Sequence, residues 1–454
     1  MEELKHLSSN ELAIKFGILG IGQKGNKDAD IFAGFKFKNN EPCYPTLALN
    51  LSKTDMMYLD NIPMNNRVHF EGTKGAARTP AIVENLFNAE VNEDAETHQN
   101  HLLSKFYETF HDENNEPKID HLLITVGAGG GVGTGFGLVF LKLFVQSQIL
   151  PYPVSFLLSL PSIKEKVERQ NAIELIEELR KTLKEQDAPY LANVIVADND
   201  HLQTYGESKQ GTTMFKQHNL SWQKYTNAYI VSLIHELNLI PTTLGSDYLT
   251  YDASDMQKLF LQGGFTSISK SRIANDKFSA RELMHKATED FEDDCLTYRH
   301  DFESAKHFAS ILLRPRENAG LQDSKIENAV REFIETKKNI SHMEGKISDP
   351  IWNGDFCSLY TIFTGMNTPL QYLEFVDETK KLVELESKQS EEIEVDTSFI
   401  KSKETFNPFA KKSATATKAN PFATAVKKTA SLDGNGPTAQ EMLATNRPNP
   451  FGKR

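Results

Sequence analysis

The stretch Gly127 to Gly137, GAGGGVGTGFG, decides the fold, because seven of its eleven residues are glycine. It follows the apolar run Ile119 to Val126 and precedes the apolar segment Leu138 to Ile149. This order is typical of a strand, a loop and a helix. A glycine loop can turn its backbone N–H groups toward one point, and the following helix adds the positive end of its dipole. The sequence therefore predicts a polyphosphate site and, with it, a bound nucleotide.

Two other phosphate-binding motifs fit less well. The loop lacks the Gly-Lys-Ser/Thr sequence of a P-loop. A second cluster, Gly20 to Gly25, has the G-x-G-x-x-G spacing of dinucleotide-binding domains. However, the next strand, Thr46 to Asn50, ends in asparagine where such domains carry an acidic residue for the ribose. An NAD-dependent oxidoreductase stays as a remote alternative, which calorimetry with different nucleotides would distinguish.

Length and composition indicate a large globular protein. The 454 residues suggest two domains with extensions, and a hydrophobic content of 39% is ample for packed cores.

The net charge of −12 is unevenly distributed along the chain, since residues 401–454 carry +7 and the preceding 400 residues carry −19. Cys43, Cys295 and Cys357 have no metal-like spacing and are expected to be packing residues. With neither a signal peptide nor a bilayer-length apolar run, we expect a cytoplasmic protein with no membrane partner.

Alternation of apolar strands with amphipathic segments predicts an α/β fold, in which a mostly parallel sheet has helices on both faces. The expected strands are Leu12 to Leu19, Thr46 to Leu51, Ile119 to Val126, Val154 to Leu160 and Asn193 to Ala197. The expected divisions are a nucleotide-binding domain at 1–211, a long central helix and linker at 212–245, a smaller α+β domain at 246–368, a C-terminal helix at 369–398 and a disordered basic tail at 399–454. His98 and His101 have the spacing of a metal pair, but a solvated helix face is favoured.

The glycine loop also carries a family resemblance. Gly129 to Gly135 (GGGVGTG) resembles the GGGTGTG signature of the tubulin/FtsZ superfamily of GTPases, with Val132 in place of its first threonine. The resemblance implies a Rossmann-type GTPase domain that binds GTP or GDP with Mg²⁺. The nucleotide contacts it implies around the two glycine clusters are Gly22, Gln23, Lys24, Gly129, Gly130, Gly131, Val132, Gly133, Thr134 and Gly135.

Two phosphate loops precede the glycine loop. Lys53-Thr54-Asp55 resembles the family's second phosphate loop, in which an aspartate lies near Mg²⁺ and the phosphates. Mg²⁺ keeps several waters and few protein carboxylates, so the single Asp55 is chemically reasonable as its ligand. Gly72 to Pro80 occupies the place of the loop that senses the γ-phosphate.

Three later matches concern the nucleoside. Pro161, Glu165 and Arg169 repeat the P-x3-E-x3-R spacing of FtsZ, in which the glutamate binds the ribose and the arginine packs beside the nucleotide. Taken alone, Glu165 and Arg169 would be an ordinary helical ion pair. Asn199 and Asn227 match two positions that hydrogen-bond guanine, and an amide can both donate and accept there.

Asp252 and Asp255 match the two aspartates of the FtsZ motif N-x-D-x-x-D, with Thr250 in place of the asparagine. The alternative interpretation is simple capping of a helix N-terminus. The resemblance implies instead that these catalytic carboxylates enter the nucleotide site of the next subunit and polarise the attacking water, so that hydrolysis requires assembly.

Within the superfamily, the opening glycine motif, the segment Thr54 to Leu59 (TDMMYL) and the basic tail resemble the TubZ family of bacterial plasmid-segregation tubulins. That resemblance implies a GTP-dependent polar filament that moves plasmid or phage DNA. Its implied partner is a DNA-binding adaptor similar to TubR on centromere DNA, which we expect the basic tail to contact. Asn-Pro-Phe recurs at Asn407, Asn420 and Asn449, either as short partner contacts or within a plain spacer. The alternative function is an FtsZ-like division or cytoskeletal polymer.

Overall fold

The computed structural model describes residues 11–70, 76, 78–92, 101–187, 190–208, 221–242, 251–274, 301–315, 341–349 and 356–394, with single positions at 279, 282, 285, 328 and 332. All structural statements below refer to these residues. Position 98 of the histidine pair, Cys295 and all three Asn-Pro-Phe sites lie outside them.

A single sheet of ten strands is the centre of the α/β fold. The strands are β1 (Phe16–Ile21), β2 (Thr46–Asn50), β3 (Arg67–His69), β4 (His121–Gly127), β5 (Val154–Leu160), β6 (Leu191–Asp198), β7 (Gly264–Ala274), β8 (His307–Pro315), β9 (Ser341–Asp349) and β10 (Phe356–Met366). Their spatial order is β3-β2-β1-β4-β5-β6-β7-β10-β8-β9. The first six strands are parallel and follow the order 3-2-1-4-5-6 of the Rossmann fold.

Ten α-helices of the described residues connect or follow these strands. They are α1 (Gly22–Ala33), α2 (Lys53–Met57), α3 (Pro80–Asn92), α4 (His101–Phe110), α5 (Gly131–Phe140), α6 (Lys166–Glu185), α7 (Asn199–Ser208), α8 (Trp222–Leu239), α9 (Ala253–Phe260) and α10 (Leu370–Glu394). None of the helices in the described part of the chain combines the length and the apolar character needed to cross a membrane.

Alternate residues of the central strands enter two cores, one on each face of the sheet. Leu19 and Ile124 belong to the core that also holds Phe140 of α5. Ile18 and Leu123 point into the opposite core, which holds Ile234 of α8. Because successive strand residues face opposite sides, strands buried on both faces contain apolar residues almost without interruption. This explains why the apolar sequence of these strands was sufficient to predict them.

The sheet continues across the expected domain boundary. Strand β7 pairs in parallel with β6, and β10 pairs antiparallel with β7, so the later strands extend the nucleotide-domain sheet. Glu236 of α8 adds a buried polar link, since its Oε2 accepts from Lys270 Nζ (2.8 Å) and from the Tyr360 hydroxyl (2.9 Å). The central helix is therefore bonded to two of these later strands. The boundaries proposed at 211, 245 and 368 stay predictions.

The first strand begins later than the sequence indicated. Ala13 and Ile14 are buried, but they precede β1 and bond to the end of the central helix. Asn238 accepts the Ile14 N–H and donates to the Ile14 carbonyl, both at 2.8 Å. This tether joins residues 224 positions apart and satisfies backbone groups that a strand would otherwise pair. The apolar run predicted the burial of these residues correctly, but its first residues bond to α8 and not to a neighbouring strand.

Candidate nucleotide site

A cavity of about 600 Å³ lies at the carboxyl ends of the parallel strands, where the strand order changes direction between β1 and β4. Ligands of open α/β sheets bind at such a switch point. The cavity is lined by Ile21, Gly22, Gln23, Lys24, Lys27, Asn50, Ser52, Asp55, Ala76, Arg78, Gly127, Gly129, Gly130, Gly131, Val132, Gly133, Ser159, Pro161, Ser162, Glu165, Glu168, Asn199, Gln203, Trp222, Gln223 and Asn227.

Residues of the lining lie at or after the carboxyl ends of β2, β1, β4, β5 and β6, which are consecutive strands in the sheet. Adjacent strands are roughly 4.8 Å apart, so these five strand ends extend over about 19 Å. The cavity therefore suits an elongated ligand that contacts several strand ends at once.

The turn after β1 provides the first part of the cavity. Gly22 begins α1 with φ of +69°, a conformation that glycine adopts without steric cost, and a Cβ there would lie 3.3 Å from the Gly133 backbone N. Lys24 reaches the cavity while its Nζ contacts both carboxylate oxygens of Asp28, at 2.7 and 2.5 Å. Asp28 is fully buried, and this desolvation raises its pKa, although Lys24 opposes the shift.

The glycine loop and the N-terminus of α5 form the second part. Gly130 is the N-cap of α5, and the nearest atom of the described residues to an added Cβ is the Gly127 carbonyl oxygen, at 4.0 Å. At Gly133, by contrast, a Cβ would lie 2.3 Å from the Gly127 carbonyl oxygen. The first backbone N–H groups of α5 have no intrahelical acceptor, so the helix start is a suitable anion site.

Thr134 and Gly135 of the same motif lie behind the cavity. Thr134 is fully buried, and its hydroxyl has no hydrogen-bond partner among the described residues. A Cβ at Gly135 would lie 2.6 Å from the Val83 Cβ, so this glycine permits close packing of α5 on α3. Both residues were expected to contact the nucleotide, but neither lines the cavity. Val132, which stands where the superfamily has threonine, does line it.

The segment after β2 contributes Asp55 to the cavity wall. The Ser52 hydroxyl accepts the Asp55 N–H at 3.3 Å and so caps α2, while Asn50 Nδ2 lies 3.4 Å from Asp55 Oδ2. Lys53 and Thr54 are exposed and do not line the cavity. Of the three residues expected here, only Asp55 lines the cavity, and the two others belong to the exposed side of a short helix.

The segments after β5 and β6 supply polar side chains to the remaining wall. Glu165 is the residue at the N-cap position of α6, and its Oε2 accepts the Ser162 N–H at 3.0 Å. Asn199 begins α7, and Asn227 lies in the second turn of α8, with only 7% of its surface exposed. Trp222 opens α8 beside them and packs against Gly206 of α7. Two amides and an indole thus border the same end of the cavity.

Comparisons with known proteins agree with this geometry. The family model for the C-terminal domain of tubulin/FtsZ-like, TubZ-like proteins matches residues 236–373. The tubulin-like protein TubZ of Bacillus thuringiensis subsp. israelensis is 41% identical over 433 residues, which cover 90% of this chain and 88% of that protein. The chain belongs to the TubZ family. Its members are tubulin/FtsZ-like proteins, so the superfamily predicted from the glycine loop is confirmed.

Solved TubZ structures confirm the fold. A GTPγS-form protofilament of B. thuringiensis serovar israelensis TubZ has a TM-score of 0.79 at 38% identity, covering 88% of this chain and 99% of that one. GDP-form protofilaments of the same protein give a TM-score of 0.77 with the same identity and coverage. The α/β Rossmann-type architecture expected from the sequence is therefore that of the TubZ family.

Arg169 differs from the expectation drawn from the FtsZ motif. It is 2% exposed, does not line the cavity and points into α10. Its Nε donates to Thr379 Oγ1 (2.8 Å), its Nη2 donates to the Phe375 carbonyl (2.9 Å) and to Glu378 (3.0 Å), and its guanidinium stacks 3.8 Å above the Phe375 ring. The P-x3-E-x3-R spacing places Glu165 at the N-cap of α6 and Arg169 one turn later, where its side chain faces α10 and not the cavity.

Asp252 and Asp255 lie at the start of α9 and do not line the cavity of their own chain. The two residues form a capping box, so the capping interpretation describes their local contacts. A hydrogen bond from the Ser254 hydroxyl, and then one from the Asp255 N–H, hold the pKa of the Asp252 carboxyl below its usual value. Asp252 is thus an exposed, ionised carboxylate at a helix N-terminus.

Sequence reasoning missed several lining residues. Ser159 lies in a buried strand, near its carboxyl end, and this position at the switch point could have identified it. Gln223 lies one helical turn before Asn227 and shares its face, which the four-residue spacing could have shown. Arg78 and Glu168 also line the cavity; Arg78 lies in the segment Gly72 to Pro80 expected near the γ-phosphate, whereas no motif pointed to Glu168. Within the described residues, no cluster of three or more His, Cys, Asp or Glu could hold a metal ion.

Proposed function

We propose that this chain is a GTPase that binds GTP or GDP in the cavity and assembles into polar filaments. The proposal rests on the arrangement of the cavity. One end is formed by the glycine loop and the N-terminus of α5, and the other end is bordered by the amides of Asn199 and Asn227 and the indole of Trp222. The first end suits phosphates, and the second suits the edge and face of a purine. Related TubZ chains have been solved as GTPγS-form and GDP-form protofilaments.

Each polar lining residue has a role in this proposal. Glu165 accepts from the ribose hydroxyls, while Asn199 and Asn227 read guanine. Asp55, a half-buried carboxylate whose neighbour Asn50 donates an amide proton, fits as the one protein ligand of Mg²⁺. The ion would offset phosphate charge when bound. Lys24 and the α5 N-terminus attract the phosphates.

Hydrolysis requires a second subunit in this proposal. Asp252 and Asp255 do not line the cavity of their own chain, and in this proposal they act at the cavity of the next subunit, where their carboxylates orient and polarise the attacking water. Assembly then completes the catalytic site. The filament therefore promotes GTP hydrolysis, and this hydrolysis in turn weakens the filament. Filament turnover moves and partitions plasmid or phage DNA through a DNA-binding adaptor of the TubR kind, which the basic tail contacts.

The direct test combines nucleotide turnover with microscopy. Phosphate release per subunit is expected to rise steeply with protein concentration, and filaments are expected with GTPγS but not with ATP. A turnover rate per subunit that is independent of concentration would contradict the shared site. Equal activity with ATP would contradict the assignment of Asn199 and Asn227. Filaments that pellet neither adaptor nor plasmid centromere DNA would favour the FtsZ-like alternative.

A further inference from the structure

The carboxylate of Asp28, on α1, is buried and has a single hydrogen-bonding partner. Its side chain is 1% exposed, and Lys24 Nζ contacts its two oxygens at 2.7 and 2.5 Å. No other donor among the described residues reaches this carboxylate. A buried charge is stable only while it is paired, so the charged form of Asp28 depends on Lys24.

Lys24 joins this carboxylate to the cavity. It lines the cavity, and its side chain is 22% exposed. A Cβ at Gly127 would lie 3.1 Å from the Lys24 Cβ, so the base of the lysine side chain packs against the start of the glycine loop. The α1 backbone is fixed here, because a Cβ at Gly25 would lie 2.0 Å from the Thr125 carbonyl oxygen. Only the end of the lysine side chain can therefore respond to a ligand.

A phosphate at the glycine loop competes with Asp28 for this lysine. An ammonium group has three N–H donors, and in the structure it contacts both carboxylate oxygens. A phosphate oxygen either takes the remaining donor or draws the ammonium group away from Asp28. Both arrangements leave the carboxylate with less stabilisation, next to a new negative charge.

Lys27 cannot replace Lys24 as the partner of Asp28. It precedes Asp28 directly, and consecutive residues of a helix do not face each other. Lys27 is exposed and lines the cavity. Its charge makes the smallest of the contributions that lower the pKa of Asp28, after those of Lys24. Once Lys24 is shared with a phosphate, the described residues offer no second cation for the carboxylate.

The elements packed against α1 add no further partner. They are β1, β2, β4, α2, α5 and α8. Neither β1, β2 nor α5 contains an ionisable side chain. The ionisable residues of the other three elements are His121 of β4, Lys53 and Asp55 of α2, and Lys224, Tyr225, Tyr229, His235 and Glu236 of α8. The charges that act on Asp28 are those of Lys24 and Lys27 on its own helix.

We propose that Asp28 takes up a proton when a nucleotide phosphate binds at Lys24. The proton comes from the solvent and adds to one carboxylate oxygen, so Asp28 becomes neutral while Lys24 keeps its positive charge for the phosphate. No bond of the nucleotide forms or breaks in this step. The inference rests on the proposed nucleotide function of the cavity, and it concerns the binding of GTP or GDP and not hydrolysis.

This linkage has a definite sign. Burial raises the pKa of Asp28 even with Lys24 in place, although the lysine opposes the shift. A bound phosphate raises this pKa further, so nucleotide affinity increases as the pH falls from the pKa of the occupied site to that of the free site. The increase is at most about tenfold per pH unit, which is the limit for one proton.

Calorimetry of the full chain with GDP, in two buffers that differ in heat of ionisation, measures the protons taken up on binding. GDP is used first because its binding does not require assembly, and GTPγS follows. Asp28→Asn is the test variant, because asparagine keeps the shape of the side chain and does not titrate. The nucleotide contributes the same protons to both proteins, so the difference between them isolates Asp28.

We expect the unmodified chain to take up more protons than Asp28→Asn, by up to about one per nucleotide. The affinity of Asp28→Asn should be the higher of the two at about pH 8, because the competing carboxylate is absent, and the two affinities should approach each other toward about pH 6. Equal proton uptake by the two proteins would overturn the proposal.

Lys24→Met is the contrasting variant. It removes the charge that attracts the phosphates, and we expect its affinity for both nucleotides to fall about tenfold or more. If Asp28→Asn loses affinity as Lys24→Met does, Asp28 only positions the lysine and the proton uptake is wrong. If the unmodified chain binds neither nucleotide, the proposed function itself fails.

Infrared difference spectroscopy tests the unmodified chain directly, so the proposal does not depend on the folding of Asp28→Asn. Addition of GDP should produce the C=O band of a protonated carboxylic acid, and ¹³C labelling of the aspartate carboxyl groups should shift that band. Its absence would overturn the proposal. Thermal unfolding of each variant checks that the fold is retained.

Discussion

Asp252 and Asp255 hold each other at the start of α9. Asp252 Oδ1 accepts the Asp255 N–H at 3.0 Å, and Asp255 Oδ2 accepts the Asp252 N–H at 3.3 Å. The same two carboxylates that we expect to act at a neighbouring nucleotide thus also stabilise a helix end. Replacing either one changes two properties at once, and a useful experiment must separate them.

Asp252→Asn and Asp252→Ala make that separation. Asparagine caps a helix about as well as aspartate, whereas alanine costs roughly 1 kcal/mol of stability. We expect both variants to bind GTP and to assemble, but to release phosphate at least about tenfold more slowly, because the water-polarising charge is lost. Urea unfolding should show a clear destabilisation only for Asp252→Ala. Normal turnover in Asp252→Asn would show that Asp252 is a cap and nothing more.

Gly130 and Gly133 offer a similar contrast within the glycine loop. Among the described residues, an added Cβ at Gly130 would have no atom closer than 4.0 Å, whereas at Gly133 it would lie 2.3 Å from the Gly127 carbonyl oxygen. We therefore expect Gly130→Ala to keep its unfolding midpoint and to lose GTP affinity about tenfold, since the methyl group occupies phosphate space. Gly133→Ala should lose roughly 1–3 kcal/mol of stability even without nucleotide. Unchanged GTP affinity in Gly130→Ala would contradict the phosphate assignment of this wall.

Glu165 and Arg169, one turn apart on α6, should have opposite phenotypes. Arg169→Met removes hydrogen bonds to α10 from a buried position and should cost roughly 1–3 kcal/mol of stability, with GTP affinity little changed. Glu165→Gln should leave stability unchanged and weaken GTP binding severalfold. Calorimetry and thermal unfolding of both variants measure the two effects. A selective loss of nucleotide affinity in Arg169→Met would restore the role expected from the FtsZ motif.

Two buried histidines predict a loss of stability on acidification. Burial lowers the pKa of His235 and of His121 to about 3, while an unfolded histidine titrates near 6.5. Below about pH 6.5 the unfolded chain takes up protons that the folded chain refuses, so each histidine lowers the free energy of unfolding by about 1.4 kcal/mol per pH unit, down to the folded pKa. No such loss is expected between pH 7 and 8.

His235→Phe tests this pH dependence. The histidine accepts or donates a hydrogen bond at Nδ1 with the Tyr44 hydroxyl (2.8 Å), and its ring stacks 3.8 Å from that of Phe35. Phenylalanine keeps the stacking and removes the titration, although stability at pH 7 will fall because Tyr44 loses a partner. The slope of stability between pH 6.5 and 5 should therefore decrease. An unchanged slope would show that other groups control the acid response.

The basic tail provides a prediction about DNA. Residues 401–454 carry +7, and attraction of this charge to phosphates should weaken strongly between roughly 50 and 200 mM salt. We expect truncation after Glu394 to leave GTP hydrolysis and filament sedimentation intact and to abolish co-sedimentation of adaptor-loaded DNA. Loss of filaments would instead make the tail part of the polymer. Retained DNA pelleting would place the adaptor contact on the folded body.

Local signals in the sequence were sufficient for five of the parallel strands and for the glycine loop, but not for the three-residue strand β3. Strands such as β4 and β5 are buried on both faces, so their apolar runs mark them without help from distant residues. The loop could be recognised from its glycines, because only glycine tolerates backbone contacts as close as that at Gly133. Cys43 and Cys357 are buried, as expected of packing residues.

Side-chain direction and long-range partners could not be predicted in this way. Arg169 has the expected spacing, but its partners lie about 200 residues later in α10. The ion pair of Arg78 with Glu168 joins the segment before α3 to the first turn of α6, and only the folded sheet brings these two segments together. Strand β9 (SHMEGKISD) is too polar to be recognised as a strand, yet it pairs with β8 along nine residues. In each case the deciding contact is non-local.

The hydrogen bonds between Asn238 and Ile14 have a consequence for biosynthesis. At a translation rate of 5–20 residues per second, Asn238 is added to the chain roughly 11–45 s after Ile14. Until then the backbone groups of Ile14 lack their final acceptor and donor, and the segment before β1 cannot reach its native position. We expect nascent chains arrested before residue 238 to expose this segment to protease, and chains arrested beyond α9 to protect it. The segment before β1 is thus secured only after all six strands from β1 to β6 have been synthesised.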